Sequence, residues 1–189
     1  KKHPHDESLR VPTILRWPRT IPAGERCDAI TTIPDLFPSL CGLCDIPVPR
    51  SVEGRDLSDA WLGKPGAETR DAALLMNFSA AYDWLVDGME WRGVRTATHT
   101  YARWLDGKVE LFDRRNDPLE MTNLAEKPEF SETVARHERM LLDLMAERGD
   151  RLAPCTDAKN WYDSQRRVVR NVFGELGPPE AIPDWSLLY

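Results

Sequence analysis

No window of the 189-residue chain approaches the roughly eighteen consecutive apolar residues that a bilayer-crossing helix needs. No membrane span is therefore expected, and the opening residues do not read as a signal peptide. A basic surplus is missing too. Lys and Arg number 25 against 31 Asp and Glu, a formal net charge of −6, which argues against nucleic acid as the main partner. Cysteine is sparse: Cys27, Cys41, Cys44 and Cys155 are compatible with two disulfides or four thiols and leave the compartment open. Cys41-Gly42-Leu43-Cys44 has the shape of a redox or zinc half-site, yet no second pair and no histidine cluster follows it. It lies in an apolar helical stretch, so these cysteines are expected to be core residues. The length is within single-domain range and permits a sizeable core.

What the chain does have is concentrated at its start. Lys1-Lys2-His3-Pro4-His5-Asp6-Glu7 sets a cationic, imidazole-rich loop against the short apolar run Val11 to Leu15, bounded by Pro12 and Pro18. A run that short and β-branched reads as a buried strand of a parallel sheet over 11–16. Loops at the ends of such strands are where sites are built, so residues 1–7 suggest an anion-handling loop.

The order Lys1, Asp6-Glu7-Ser8-Leu9-Arg10-Val11-Pro12, with His5 at a usual tyrosine position, resembles the sulfatase family of the alkaline-phosphatase-like superfamily. The resemblance continues through Arg16-Trp17-Pro18, Ile21-Pro22-Ala23-Gly24, Asp35-Leu36-Phe37-Pro38-Ser39-Leu40, Ile46-Pro47-Val48-Pro49 and Gly54-Arg55-Asp56-Leu57. Trp91-Arg92-Gly93-Val94-Arg95-Thr96, Glu110-Leu111-Phe112-Asp113, Asn116-Asp117-Pro118-Leu119-Glu120 and Asn123-Leu124-Ala125 then look like the family's small C-terminal sheet. Each piece is weak alone; in family order over roughly residues 1–150 they are strong together.

The resemblance implies an α/β fold: the edge part of an alkaline-phosphatase-like α/β/α sandwich, then a small C-terminal antiparallel-sheet-plus-helix subdomain. Residues 1–64 would be the α/β part, 65–150 the small subdomain and 151–189 a wrapping tail with one helix near 158–173. The family's Cys/Ser-X-Pro-X-Arg nucleophile motif is absent from this sequence, so the chain is expected to be the C-terminal part of a longer enzyme. Calcium and a formylglycine nucleophile are implied for the N-terminal part of the same protein, with no metal ligand here. The implied partners are a sulfated small molecule or carbohydrate and that N-terminal part; homo-oligomerisation is left open. Two other readings stand beside a sulfate-ester hydrolase: a phosphonate monoester or phosphodiester hydrolase of the same superfamily, and a non-catalytic scaffold.

Among single residues, Lys1 matches the family lysine that binds the ester and neutralises the leaving-group oxygen, a role suited to a compact ammonium. The competing reading is a solvated lysine. His3 and His5 are candidate substrate-binding residues because imidazole donates and titrates near neutral pH, although the position of His5 also suits packing. Asp6 and Glu7 read as loop-stabilising carboxylates, and Arg10 as their ion-pair partner. His99 is a third substrate-binding candidate, with Trp91 and Arg95 beside it, since that subdomain borders the substrate cleft in the family; packing is the competing role. His137 falls at a boundary position of an amphipathic helix.

Local patterns supply the elements. A helix is expected within 33–43 and an amphipathic turn near 57–62. Strands are expected over 72–78, 90–97, 100–104 and 109–113, the last two joined by the hairpin turn Asp106-Gly107. A long helix follows, with Phe130, Val134, Leu141, Leu144 and Met145 at three- and four-residue spacing between Pro128 and Gly149.

Overall fold

A computed structural model describes residues 3–78, 90–154, 170–171 and 174–175. The chain divides into two compact units, one holding residues 1–10 and 74–182, the other 11–73 and 183–189.

The first helix of the chain, α1 (Asp6–Leu9), belongs to the first unit; the second unit begins its helical structure with α2 (Ile33–Leu43). Its start is written in the sequence. Thr32 and Asp35 form a reciprocal capping box, and a proline occupies the first turn. Asp35 is only 1% exposed. It accepts hydrogen bonds from the Thr32 N–H (2.7 Å) and hydroxyl (2.6 Å), from the Arg55 N–H (2.9 Å), and from Arg70 Nη2 (2.5 Å). Burial works to raise its pKa, but the Thr32 and Arg55 hydrogen bonds and the Arg70 charge outweigh it and hold the carboxyl below its usual range. The segment 54–58 packs along α2: Ser39 Oγ accepts the Leu57 N–H at 2.8 Å. A Cβ on Gly54 would lie 1.9 Å from the Pro34 carbonyl oxygen, so this crossing tolerates only glycine. A short turn of helix, α3 (Ser58–Trp61), follows.

The strand expected over 11–16 is not formed. This stretch carries no ladder, and Val11 and Ile14 are 72% and 93% exposed. A β-branched run supplies strand propensity, but a strand exists only through a neighbour that takes its N–H and C=O groups. None of the described residues does so. Cys27, Cys41 and Cys44 are free thiols, Cys41 buried and the other two exposed.

The first unit is built on an antiparallel sheet in the order β1 (Ala72–Asn77), β2 (Trp91–Thr96), β3 (His99–Trp104), β4 (Val109–Asp113). The expected strands are thus found, and so is the Asp106-Gly107 turn, with Gly107 at φ +92° and its N–H on the Trp104 carbonyl. Register pairs Trp91 with Trp104, Arg95 with Thr100, and Thr100 with Phe112. Because side chains alternate along a strand, Trp91, Arg95, Thr100, Ala102, Trp104 and Phe112 share one face. Arg92, Val94, His99, Tyr101 and Leu111 share the other.

That second face is covered by α4 (Ser131–Glu147), which buries His137, Leu141 and Met145. It follows a single 3₁₀ turn, Pro128–Phe130. It ends at Gly149, whose φ of +58° lets the Asp150 N–H reach back to the Met145 carbonyl. Asp150 then clamps buried Arg92 through two hydrogen bonds of 2.5 and 3.0 Å. In the tail, Arg170–Asn171 pairs antiparallel with Gly174–Glu175. Residues 170–171, within the helix expected near 158–173, are therefore in a strand; the rest of that expected helix lies outside the described residues.

Candidate functional site

The first face of the sheet is covered by the beginning of the chain, residues 3–10, including the four-residue helix α1 (Asp6–Leu9). Leu9 packs against the buried cluster Trp91, Ala102 and Trp104, together with Leu75. Pro4 is fully buried. The His3 ring is exposed on one side and tilts against Trp104 at 5.4 Å between centroids; the His5 ring lies 4.9 Å from Phe112. His3 and His5 are 6.1 Å apart. The two residues proposed from sequence at this end are thus brought together.

The polar side of the same segment is held by long-range partners. Asp6 pairs with Arg95 from β2, with Arg114 just beyond β4 (3.5 Å), and with Arg10 one turn on (3.9 Å). Glu120 is 3% exposed and sits at φ +51°. Its Oε2 accepts the Asp6 N–H at 2.6 Å and lies 3.7 Å from His5 Nδ1; its Oε1 accepts the Thr100 hydroxyl at 2.7 Å. Burial, and then the neighbouring Arg95 charge, lower the Arg114 pKa, while Asp6 and Glu120 oppose that shift.

Asp6 and Arg10 are paired as their sequence suggested, but the main partners of Asp6 come from β2 and the loop after β4. Glu120, Thr100 and Arg114 were not singled out from sequence. The available signal was Asp117-Pro118-Leu119-Glu120, a turn motif carrying a carboxylate that proves to be buried. Lys1 and Lys2 lie outside the described residues.

His99 is on the opposite face, under α4. Its ring is 5.1 Å from that of His137, and Nδ1 shares a 2.7 Å hydrogen bond with the Thr98 hydroxyl. It does not join His3 and His5. Trp91 is buried in the core, and Arg95 faces Asp6. His137 Nδ1 donates to the Thr133 carbonyl at 2.7 Å. Tyr101 donates to Glu138 at 2.5 Å, and burial, with that carboxylate, raises its pKa far above the usual range.

Burial lowers the pKa of His99, opposed by Asp113 and reinforced by Arg136 and Arg115. It lowers that of His137 as well, opposed by the Thr133 carbonyl and reinforced by His99 and Arg136. The folded state therefore prefers both rings neutral. Their contribution to stability is complete above the unfolded imidazole pKa of about 6.5 and is lost as pH falls through that value toward the folded ones. The expected result is a Tm a few degrees lower at pH 5 than at pH 7.5, with a shallower dependence in His137→Gln. Equal slopes for the two proteins would contradict this.

Among the described residues no group of three or more His, Cys, Asp and Glu side chains converges to hold a metal, and no helix is long and apolar enough to cross a membrane. Asp6 is paired with arginines, and Glu120 accepts the Asp6 N–H and the Thr100 hydroxyl.

The sequence profile of the N-sulphoglucosamine sulphohydrolase C-terminal family matches residues 1–147. An ulvan-active sulfatase of Formosa agariphila is 35% identical over 185 residues, 96% of this chain and 34% of that protein. A Delta 4,5-hexuronate-2-O-sulfatase of Bacteroides thetaiotaomicron is 30% identical over 149 residues, 77% of this chain and 30% of that protein. Among solved structures, a 2-O GAG sulfatase superposes with a TM-score of 0.55 at 26% identity, over 68% of this chain and 26% of that one. The chain spans about a third of the length of these two curated relatives.

Proposed function

The chain belongs to the N-sulphoglucosamine sulphohydrolase C-terminal family of sulfatases, and on that premise we propose that it forms the C-terminal part of an enzyme hydrolysing sulfate esters of a carbohydrate. The observation that carries this reading is the fixing of the His3–Leu9 segment, which begins two residues on from Lys1 in sequence, onto the sheet through the contacts of Asp6 with Glu120 and Arg95. In this reading Lys1 binds the ester and neutralises negative charge on the bridging oxygen as the sulfur–oxygen bond breaks. The exposed ring of His3, with His5 behind it, donates hydrogen bonds to the bound anion. His99, covered by α4, packs rather than binds.

Calcium and formylglycine, implied by the family resemblance, would be held by residues outside this chain and would supply the group that bonds to sulfur as the alcohol leaves; the role given to Lys1 is confined to the departing oxygen. The sulfated-carbohydrate class rests on the names of the relatives, one ulvan-active and one acting on a hexuronate 2-O-sulfate.

The test is substrate preference. The full-length protein should turn over 4-nitrophenyl sulfate with a kcat/KM at least about tenfold above that for a 4-nitrophenyl phosphonate monoester or phosphodiester. The reverse preference would move the protein to the phosphonate branch of the superfamily, and turnover of neither would make it a scaffold.

A further inference from the structure

We propose that Arg10, Arg95 and Arg114 form an oxyanion subsite beside His5, which takes a second anionic group of the glycan, a carboxylate or a sulfate other than the ester being cleaved; this rests on the sulfate-ester reading above. The three guanidiniums share one carboxylate. Asp6 contacts Arg95, Arg114 Nε at 3.5 Å and Arg10 Nη1 at 3.9 Å. Glu120 does little to relieve them, because its Oε2 accepts the Asp6 N–H and its Oε1 the Thr100 hydroxyl. The charges that bear on Arg114 are Arg95 and Arg10, of its own sign, and Asp6 and Glu120, of the opposite sign. Three cations thus face two anions, and burial already works against the charged form of Arg114.

The surplus shows in the hydrogen bonds. Arg95 Nη1 and Arg114 Nε are buried and find no acceptor among the described residues, although buried N–H groups are nearly always paired. A further anion at the rim would offset the excess charge without displacing Asp6. The rim has the donors for it. The Arg10 side chain is 68% exposed, and its 3.9 Å approach to Asp6 is too long for a hydrogen bond, so its planar fork is open to solvent. Arg114 is 21% exposed and is held in place by a 3.1 Å hydrogen bond from Nη1 to the Thr96 carbonyl. Arg95 lies further in and supplies charge rather than contact. A guanidinium fork grips the oxygens of a carboxylate or sulfate in pairs, which a lone ammonium does not. The cluster adjoins the imidazole proposed above to meet the bound anion: His5 precedes Asp6, and its Nδ1 is 3.7 Å from Glu120.

The experiment is steady-state kinetics of the full-length enzyme on matched sulfated disaccharides. One pair sets a uronate-bearing ester against its carboxyl-reduced form; the other sets a disulfated ester against its monosulfated form. 4-Nitrophenyl sulfate, which offers a single anion, is the reference. The wild type should favour the dianionic member of at least one pair by a lower KM. Arg10→Gln should raise that KM about tenfold with kcat nearly unchanged, the order expected for one charge-assisted hydrogen bond. On 4-nitrophenyl sulfate and on the monoanionic members it should stay within about twofold. The pair that loses its preference identifies the group bound. Arg10→Lys keeps the charge without the fork and should recover only part of the loss. Arg139→Gln, an equal charge change at an exposed position of α4, is the control for a general field effect and should leave every KM within about twofold. Because Arg10 is exposed, its variants should keep the wild-type Tm to within about two degrees. Equal KM for both members of each pair in the wild type would overturn the subsite and leave the sulfate-ester reading standing. So would an Arg10→Gln loss that is the same on mono- and dianionic esters, or one that Arg139→Gln matches. No turnover of any sulfate ester would overturn that reading itself, and the subsite with it.

Discussion

Lys1→Ala in the full-length protein should lower kcat and kcat/KM together, by roughly 10²–10³-fold, the usual cost of one electrostatic donor to a developing oxyanion. On the proposed role of Lys1 the two constants should fall together, because the contact would be worth more in the transition state, where the bridging oxygen gains charge, than in the bound substrate. The loss should grow as the leaving group worsens and shrink on nitrophenyl sulfate. Lys1→Arg should rescue only partly, since a planar fork replaces a compact ammonium. Lys2→Ala is the internal control and should stay within about threefold, as expected of a solvated neighbouring charge. Steady-state kinetics on two or three sulfate esters are enough. Equal losses at Lys1 and Lys2, or a loss independent of leaving group, would remove Lys1 from the reaction.

Asp35→Ala should be the most damaging single substitution for stability, at about 3–5 kcal/mol, as when one member of a buried ion pair is deleted. Truncation strands the Thr32 and Arg55 N–H groups that Asp35 accepts. It also leaves the Arg70 guanidinium, whose side chain is 9% exposed, without its counter-charge. In urea, the midpoint of the transition reporting residues 11–73 should fall with little change in slope. The pH dependence follows from the depressed pKa. The carboxylate's contribution is present above the unfolded aspartate value of about 3.9 and is lost as pH falls through the lower folded one. Asp35→Ala should therefore flatten the acid limb of the stability curve. An unchanged urea midpoint would mean that Arg70 finds another acceptor.

The difference between what the sequence revealed and what it hid follows the range of the interactions. α2 was legible because its signals are local: Thr32 and Asp35 three residues apart, and proline in the first turn. The hairpin at Asp106-Gly107 and the apolar spacing of α4 were legible for the same reason. The run Val11 to Leu15 misled because propensity belongs to a residue, whereas a strand belongs to a pair. Arg170–Asn171 misled in the other direction, an expected helix end becoming a strand beside Gly174–Glu175. At the site, the pairing of Asp6 with Arg10 could be read from their four-residue spacing. The hydrogen bond from the Asp6 N–H to Glu120 spans 114 residues, and no local pattern announces it. Asp117-Pro118-Leu119-Glu120 looks like a solvated turn until the fold buries its last carboxylate. The alternation of β3 likewise separates His99 from His3 and His5, which the family resemblance had grouped together as substrate-binding candidates.

The most direct test of a sulfate-ester function resting on the start of this chain is inorganic sulfate released from sulfated oligosaccharides, measured by ion chromatography on the full-length protein. Stoichiometric sulfate release that falls by about 10²-fold or more in Lys1→Ala is the expected result. No sulfate from any sulfated oligosaccharide or aryl sulfate, or release that Lys1→Ala leaves unchanged, would contradict it.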